Sequence, residues 1–287
     1  LPGGDELRHG IVAYMSDESS EASTPLPFSQ RPVDKAPGHW VLARAGKRVL
    51  RPGGAALTRS MLSRAGLAGA DVVEFAPGLG VTAGWILEGG PASYTGVEQD
   101  PDAAARVGRI VRGRGRCVNA DARRTGLDSG CADVVVGEAM LTMQSDRVKA
   151  EIVSEAARLL RPGGRYAIHE LALAPDDIDE AVATDLRKAL ARAINVNARP
   201  STVKAWKEHL EAAGLVVQHV GTAPMALLSP GRVVADEGVG GAARIAWNLA
   251  RDKDLRARVL TMRRTFKKYE KNMRGVAIVA RKPKEDE

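Results

Sequence analysis

The chain has 287 residues, 44% of them hydrophobic, which is enough for one large domain or two small ones with a sizeable core. Lys and Arg outnumber Asp and Glu by 42 to 35, a formal +7 that allows attraction to anionic partners without requiring one. Two cysteines, Cys117 and Cys131, with no CxxC exclude a disulfide framework, a zinc ribbon and a thioredoxin-like site, and both read as core fillers.

No window has the length and apolarity of a membrane span, and the first residues lack the basic-then-apolar pattern of a signal peptide. A soluble, cytoplasmic protein is expected. The chain opens on Leu1 rather than methionine, which leaves an upstream segment open.

Residues 1–35, rich in Ser, Glu and Pro, predict a mobile arm with some ordered contacts near 11–14. Helices are expected over 40–49 and 56–65, separated by "RPGG" at 51–54. A second RPGG stands at 161–164; the two share no periodic context and are read as coincidence. The segment 36–69 is taken as N-terminal helices and partial cap.

Alternation then begins. Strands are expected at 71–76, 93–99, 115–122, 132–140 and 165–173, with helices from 80 to 88, from 101 to 113 and from 146 to 160. Pro101 suits the first turn of its helix, where a missing N–H costs nothing. Near-continuous apolar strands alternating with helices predict a doubly wound, mostly parallel α/β sheet over 70–173. Helical sequence follows over 174–214, a sixth strand within 215–222, an insertion over 223–274, and a seventh strand and tail over 275–287. The whole reads as a seven-stranded Rossmann-like sheet with helical cap insertions. "DEGVGG" at 236–241 reads as a Gly-rich joint.

In such a sheet, ligands bind beyond the carboxyl ends of the strands. "APGLGVTAG" falls on the first strand-to-helix turn, where glycines let a ligand approach the backbone. Gly78, Gly80 and Ala83 satisfy the loose dinucleotide pattern, and Glu98 fits a ribose-binding acid. Glu74 points elsewhere. A carboxylate four residues before the first glycine faces a cationic amino-acid group well, whereas it repels a pyrophosphate. Asp121, ending the third strand in "NADA", can take the amino group of an adenine.

"VVEFAPGLG", "YTGVEQD", "NADA", "ADVVV" and "EAARLLRPGGRYAIHE" resemble the successive motifs of class I S-adenosylmethionine-dependent methyltransferases, particularly the small-molecule branch with the ubiquinone/menaquinone-type enzymes. The resemblance covers about 70–173. It implies that Glu74, Gly78 and Gly80 frame the methionine part of S-adenosylmethionine. It further implies that Glu98 bonds the ribose hydroxyls, that Gln99 lies beside the adenine, and that Asp121 and Ala122 reach the adenine edge. Glu138, Ala139 and Met140 then line the cavity near the sulfonium. Pro77 departs from the commonest pattern, which has Cys or Gly there, and "GEAM" replaces the (D/N)PPY of the adenine- and glutamine-N-methylating branches.

For catalysis, His169 at the end of the fifth strand is expected either to take a proton from an acceptor hydroxyl or to orient it, and Glu138 is the second candidate. Trp40, with His39 before it, reads as an anchor or an acceptor-stacking group. No His, Cys or acid cluster has metal-ligand spacing, so no metal is expected.

The helix expected over 258–274 sets Val259, Leu260, Met262, Phe266, Tyr269 and Met273 on one face and Arg263, Arg264, Lys267, Lys268 and Lys271 on the other. The basic face is a solvated surface or a guide for an anionic acceptor. "PMALL" and "AWNLA" are expected to line an apolar pocket or a homodimer interface. The acceptor is thus expected to be a small molecule, anionic or aromatic, with O- or C-methylation favoured and with neither membrane nor nucleic acid as partner. An RNA- or protein-directed methyltransferase is the alternative; an NAD-dependent oxidoreductase and a non-enzymatic binder stand behind it.

Overall fold

A computed structural model describes residues 32–284. The arm expected over 1–35 lies outside the described residues up to position 31, as do the contacts expected near 11–14 and the last three residues of the tail. Two helices open the described chain, α1 (Gly38–Arg44) and α2 (Gly54–Ala65). The alternating part follows as β1 (Asp71–Phe75), α3 (Val81–Glu88), β2 (Ser93–Glu98), α4 (Pro101–Ile110), β3 (Arg116–Asn119), β4 (Ala132–Glu138), α5 (Asp146–Leu159) and β5 (Leu160–Leu173). The remainder is α6 (Glu180–Ile194), β6 (Ser201–Thr202), α7 (Val203–Glu211), β7 (Val216–Pro224), α8 (Pro230–Arg251), α9 (Lys253–Lys268) and β8 (Met273–Arg281).

The sheet order is β3-β2-β1-β4-β5-β8-β7, and β6 adds a two-residue pairing to β5. β8 runs antiparallel to both its neighbours, while β1 to β5 pair parallel. The expected seven strands are therefore present with one short strand more. β6 has no sequence signal of its own, since two residues carry no period.

Strand alternation sorts the core onto two faces. Val73, Phe75, Val135 and Ile168 pack with Ile152, Val153 and Leu159 of α5 and Trp206 and Leu210 of α7. Val72, Val134, Val136 and Ala167 pack on the other face with Met61 and Leu62 of α2, Ile86 of α3 and Val107 of α4. A third apolar cluster joins α1, α6 and α9 to Leu171 and Leu173 at the end of β5.

The joint expected at 236–241 is present as a kink at Gly238 (φ 73°), where the helix direction within α8 breaks. Two expectations need correction. The basic helix stops at Lys268, and Met273 and Arg274 already belong to β8, because that segment finds a full antiparallel partner in β5. Leu260 leaves the buried face (38% exposed), whereas Val259, Met262, Phe266 and Tyr269 are buried. No helix among the described residues is long and apolar enough to cross a membrane.

The first RPGG, at 51–54, rests directly on the sheet. A Cβ on Gly275 of β8 would sit 2.6 Å from the Pro52 carbonyl oxygen and 2.8 Å from the Gly53 Cα. Both neighbours are backbone and cannot turn aside. Gly275→Ala should therefore destabilise the fold by about 1–3 kcal/mol, read as a lower urea midpoint; an unchanged midpoint would mean that the loop is not seated on this strand.

Candidate active site

The carboxyl ends of β1, β2 and β4 surround a cavity of ≈ 230 Å³. Glu74, Gly78, Glu98, Glu138, Ala139 and Met140 line it, together with His39, Trp40, Arg51 and Thr82. Six residues expected from the sequence thus converge. Gly80 is the N-cap of α3, and its missing Cβ makes room for Ile110 of α4, which would otherwise lie 2.5 Å away. Gln99, Asp121 and Ala122 lie past β2 and β3, outside this cavity's lining. The Asp121 carboxylate is held 2.6 Å from Arg123 Nη2, which keeps its pKa below the usual range.

Two alanines at the cavity have left-handed backbone, Ala76 after β1 (φ 51°) and Ala139 after β4 (φ 53°). An L-residue adopts that conformation at a cost of about 1 kcal/mol or more, so the surroundings must hold these turns. They do so by hydrogen bonds across the sheet, Ala76 N–H to Val97 O at 2.8 Å and Ala139 N–H to His169 O at 2.8 Å. Gly78 (φ 54°) presents open space where a side chain would stand, with only the Ala76 carbonyl at 3.8 Å.

Glu138 is the centre of a buried polar network. Arg51 Nη1 donates to it at 2.9 Å, the Thr58 hydroxyl at 2.5 Å, and the Thr82 hydroxyl donates to the same carboxylate. His169 Nδ1 lies 3.1 Å from Glu138 Oε1 and 3.0 Å from the Thr58 hydroxyl, while its Nε2–H donates to the Pro52 carbonyl. Burial alone would raise the Glu138 pKa, but Arg51 and His169 outweigh it and bring it down to about 2. Arg51 also stacks over Trp85, its guanidinium 5.0 Å from the ring centre.

His169 is expected to take a proton from the acceptor or orient it, and is found behind the cavity wall. It is fully buried, it lines neither the cavity nor the chamber described below, and both ring nitrogens are engaged. That leaves no path for a proton from an acceptor to its ring. Glu170 is also fully buried, and accepts from the backbone N–H groups of Met140, Leu141 and Thr142 and from the Thr142 hydroxyl, at 2.7–3.0 Å.

Glu74 differs from Glu138 in that, among the described residues, no cation bonds to it, and Arg51 acts on it only from a distance. Its one side-chain partner is the Tyr94 hydroxyl at 2.6 Å, and burial pushes its pKa up to about 8. Glu98 accepts from Gly78 N–H at 3.0 Å and Asp100 N–H at 3.1 Å, and burial raises its pKa as well.

Beyond the wall formed by His39, Leu50, Ala139 and Met143 lies a second, apolar chamber of ≈ 100 Å³. Leu171, Met225, Leu227, Met262 and Phe266 are among its other lining residues. "PMALL" and the apolar face of α9 are thus where the pattern puts them. "AWNLA" does not line the chamber: Trp247 is 61% exposed on α8, which leaves only the interface alternative for that stretch. Arg263, Arg264, Lys267, Lys268 and Lys271 are exposed and line neither space.

A protein-family model described as a methyltransferase domain matches residues 73–168. An uncharacterized protein of Haemophilus influenzae is 30% identical over 251 residues, covering 85% of this chain and 98% of the relative. Among solved structures, the [4+2]-cyclase SpnF superposes with a TM-score of 0.65 at 18% identity, covering 85% of this chain and 92% of that one. A geranyl diphosphate methyltransferase, solved with GPP and sinefungin, gives 0.58 at 14% identity, covering 79% and 76%. The chain belongs to the class I S-adenosylmethionine-dependent methyltransferases. Its cofactor is S-adenosylmethionine.

The residues present fit that group. Two carboxylates with raised pKa values and open backbone at Gly78 suit a ligand that brings an ammonium, a sulfonium and vicinal hydroxyls. Sequence reasoning passed over Arg51, Thr58 and Thr82 of this methyltransferase. RPGG at 51–54 was their visible signal, but nothing local distinguishes it from the copy at 161–164, where Arg161 instead bridges Asp71 and Asp133.

The Glu74 pKa is raised in the folded state, so its stability contribution is complete below about pH 4.5 and is lost as pH rises to about 8. Glu74→Gln should therefore narrow the stability loss between about pH 5 and pH 9. Urea midpoints at both pH values measure this, and equal pH dependence in the two proteins would show that Glu74 is not buried protonated.

Proposed function

We propose that this methyltransferase acts on a small organic molecule, by in-line methyl transfer to an oxygen or carbon. The observation that carries the reading is the direct adjacency of the polar cavity and the apolar chamber across His39, Leu50, Ala139 and Met143. A chamber so lined and of so small a volume suits the apolar body of a small molecule. The third apolar cluster, from α1, α6 and α9, supports the chamber as a cap.

In this reading Glu98 takes the ribose hydroxyls, and Glu74 and Gly78 meet the methionine part. Ala139 and Met140 lie near the sulfonium. Gln99, Asp121 and Ala122 form the adenine side, with Asp121 exchanging Arg123 for the ligand. The bound cofactor supplies an electrophilic methyl group. The chain's own task is positioning, which accounts for most of the rate gain in such a displacement. Glu138 and His169 act as positioning residues: they fix Arg51, Pro52 and thus the wall that carries Leu50.

Calorimetric titration tests the site. S-adenosylmethionine and S-adenosylhomocysteine should bind with Kd on the order of micromolar and NAD should not, and Glu98→Ala should weaken both by about tenfold or more, roughly 1.4 kcal/mol. In an extract supplied with methyl-labelled cofactor, label should enter the low-mass fraction. Label in RNA or protein alone would overturn the small-molecule reading, and NAD binding without the others would overturn the site assignment.

A further inference from the structure

Among the described residues, the chamber's lining includes one ionisable side chain. Of the residues that line it, His39 alone titrates, and the Thr142 hydroxyl is already donated to Glu170. His39 also lines the cofactor cavity, so it stands where the two spaces meet. Its ring lies 5.0 Å from that of Trp40, and among the described residues no hydrogen bond engages its nitrogens. It sits on α1, which α6 and α9 hold in the third apolar cluster.

These facts restrict the acceptor by exclusion. A carboxylate or phosphate would enter the chamber without a cation to meet it, and an aliphatic amine, charged at neutral pH, without a carboxylate. Either charge would lose hydration there with no opposite charge among the lining residues in return. A space of ≈ 100 Å³ is somewhat smaller than the engineered cavity of about 150 Å³ that binds benzene, so the body it takes is one ring or its equivalent. Met143, Met225, Met262 and Phe266 give that ring sulfur and aromatic neighbours.

We propose that His39 receives the acceptor's proton, and that the acceptor is an uncharged, single-ring molecule bearing a phenol-type hydroxyl; this rests on the methyltransferase reading above. The acceptor oxygen gains the methyl carbon as the carbon–sulfur bond of the sulfonium breaks. The hydroxyl proton passes to the His39 ring, leaving a methyl ether, a neutral thioether and an imidazolium that returns its proton to solvent. Burial lowers the His39 pKa to about 4, which keeps the ring neutral with a free lone pair. A weak base suffices, since a hydroxyl oxygen that is gaining a methyl group becomes a strong acid.

The test uses the whole chain saturated with S-adenosylhomocysteine and four probes: p-cresol, toluene, benzylamine and benzoate. Methionine methyl resonances of Met143, Met225 and Met262 report occupancy, and the His39 imidazole nitrogens, assigned by their loss in His39→Asn, report the contact. We expect p-cresol and toluene to shift the methionines, p-cresol alone to shift His39, and the two charged probes to shift neither. His39→Asn should bind toluene as the wild type does and methylate p-cresol about 100-fold or more slowly with S-adenosylmethionine. Equal His39 shifts with p-cresol and toluene, or p-cresol that occupies the chamber without being methylated by the wild type, would overturn the role of His39. Occupancy by benzylamine or benzoate, or by no probe, would overturn the acceptor class. Failure to bind S-adenosylhomocysteine at all would instead refute the reading on which both rest.

Discussion

His169 and Glu170 are consecutive residues of a strand, so their side chains leave the sheet on opposite faces. Both are fully buried, and each fixes a different loop. His169 binds the Pro52 carbonyl and meets Glu138, tying the chain before α2 to the strand ends. Glu170 gathers three successive backbone N–H groups of the turn after β4. Two walls of the site, one bearing Leu50 and Arg51, the other Ala139 and Met143, therefore hang from adjacent positions on one strand. That strand is itself bracketed by β4 and β8, so the anchor is rigid.

The electrostatics of the cavity follow from which carboxylates this anchoring supplies with a cation. Glu138 receives Arg51 and falls to about 2; Glu74, equally enclosed, receives a phenol and rises to about 8. Two acids on neighbouring strands are thereby driven into opposite states, as burial with and without a partner requires. The committed charge stays with the framework at Glu138. The acid to which no cation bonds is left lining the open cavity.

Polar and apolar functions are separated in space as well. The carboxylates and the open backbone of Gly78 belong to the cavity over β1, β2 and β4, whereas the chamber is built from α1, α6, α9 and the end of β5. α8 secures the junction from outside: Glu237 accepts the N–H groups of Arg48 and Val49, and Asp236 that of Ala55. Both acids stand immediately before the kink at Gly238, so the bend and the clasp occur at one place.

The sequence by itself determined the sheet, its order of strand and helix, and the acids at the strand ends. Each of these is local: a strand needs an apolar run, a turn needs Gly78 and Gly80, and Glu74, Glu98 and Glu138 fall at strand ends by counting. What only the tertiary structure decided is the company each residue keeps. Nothing near Arg51 in the chain announces that it meets Glu138, 87 positions away. Nothing near His169 announces that Pro52 closes over it. The DEGVGG run reads as a joint because three glycines disfavour helix, and α8 does bend at Gly238; what the run does not announce is that Asp236 and Glu237, just before the bend, accept from the N–H groups of Ala55, Arg48 and Val49. Two residues of β6 and the short reach of α9 were settled in the same way, by pairing to β5 and by the start of β8. Local periodicity fixes elements; long-range hydrogen bonds and burial fix charge states and site walls, because both depend on neighbours that the chain order does not contain.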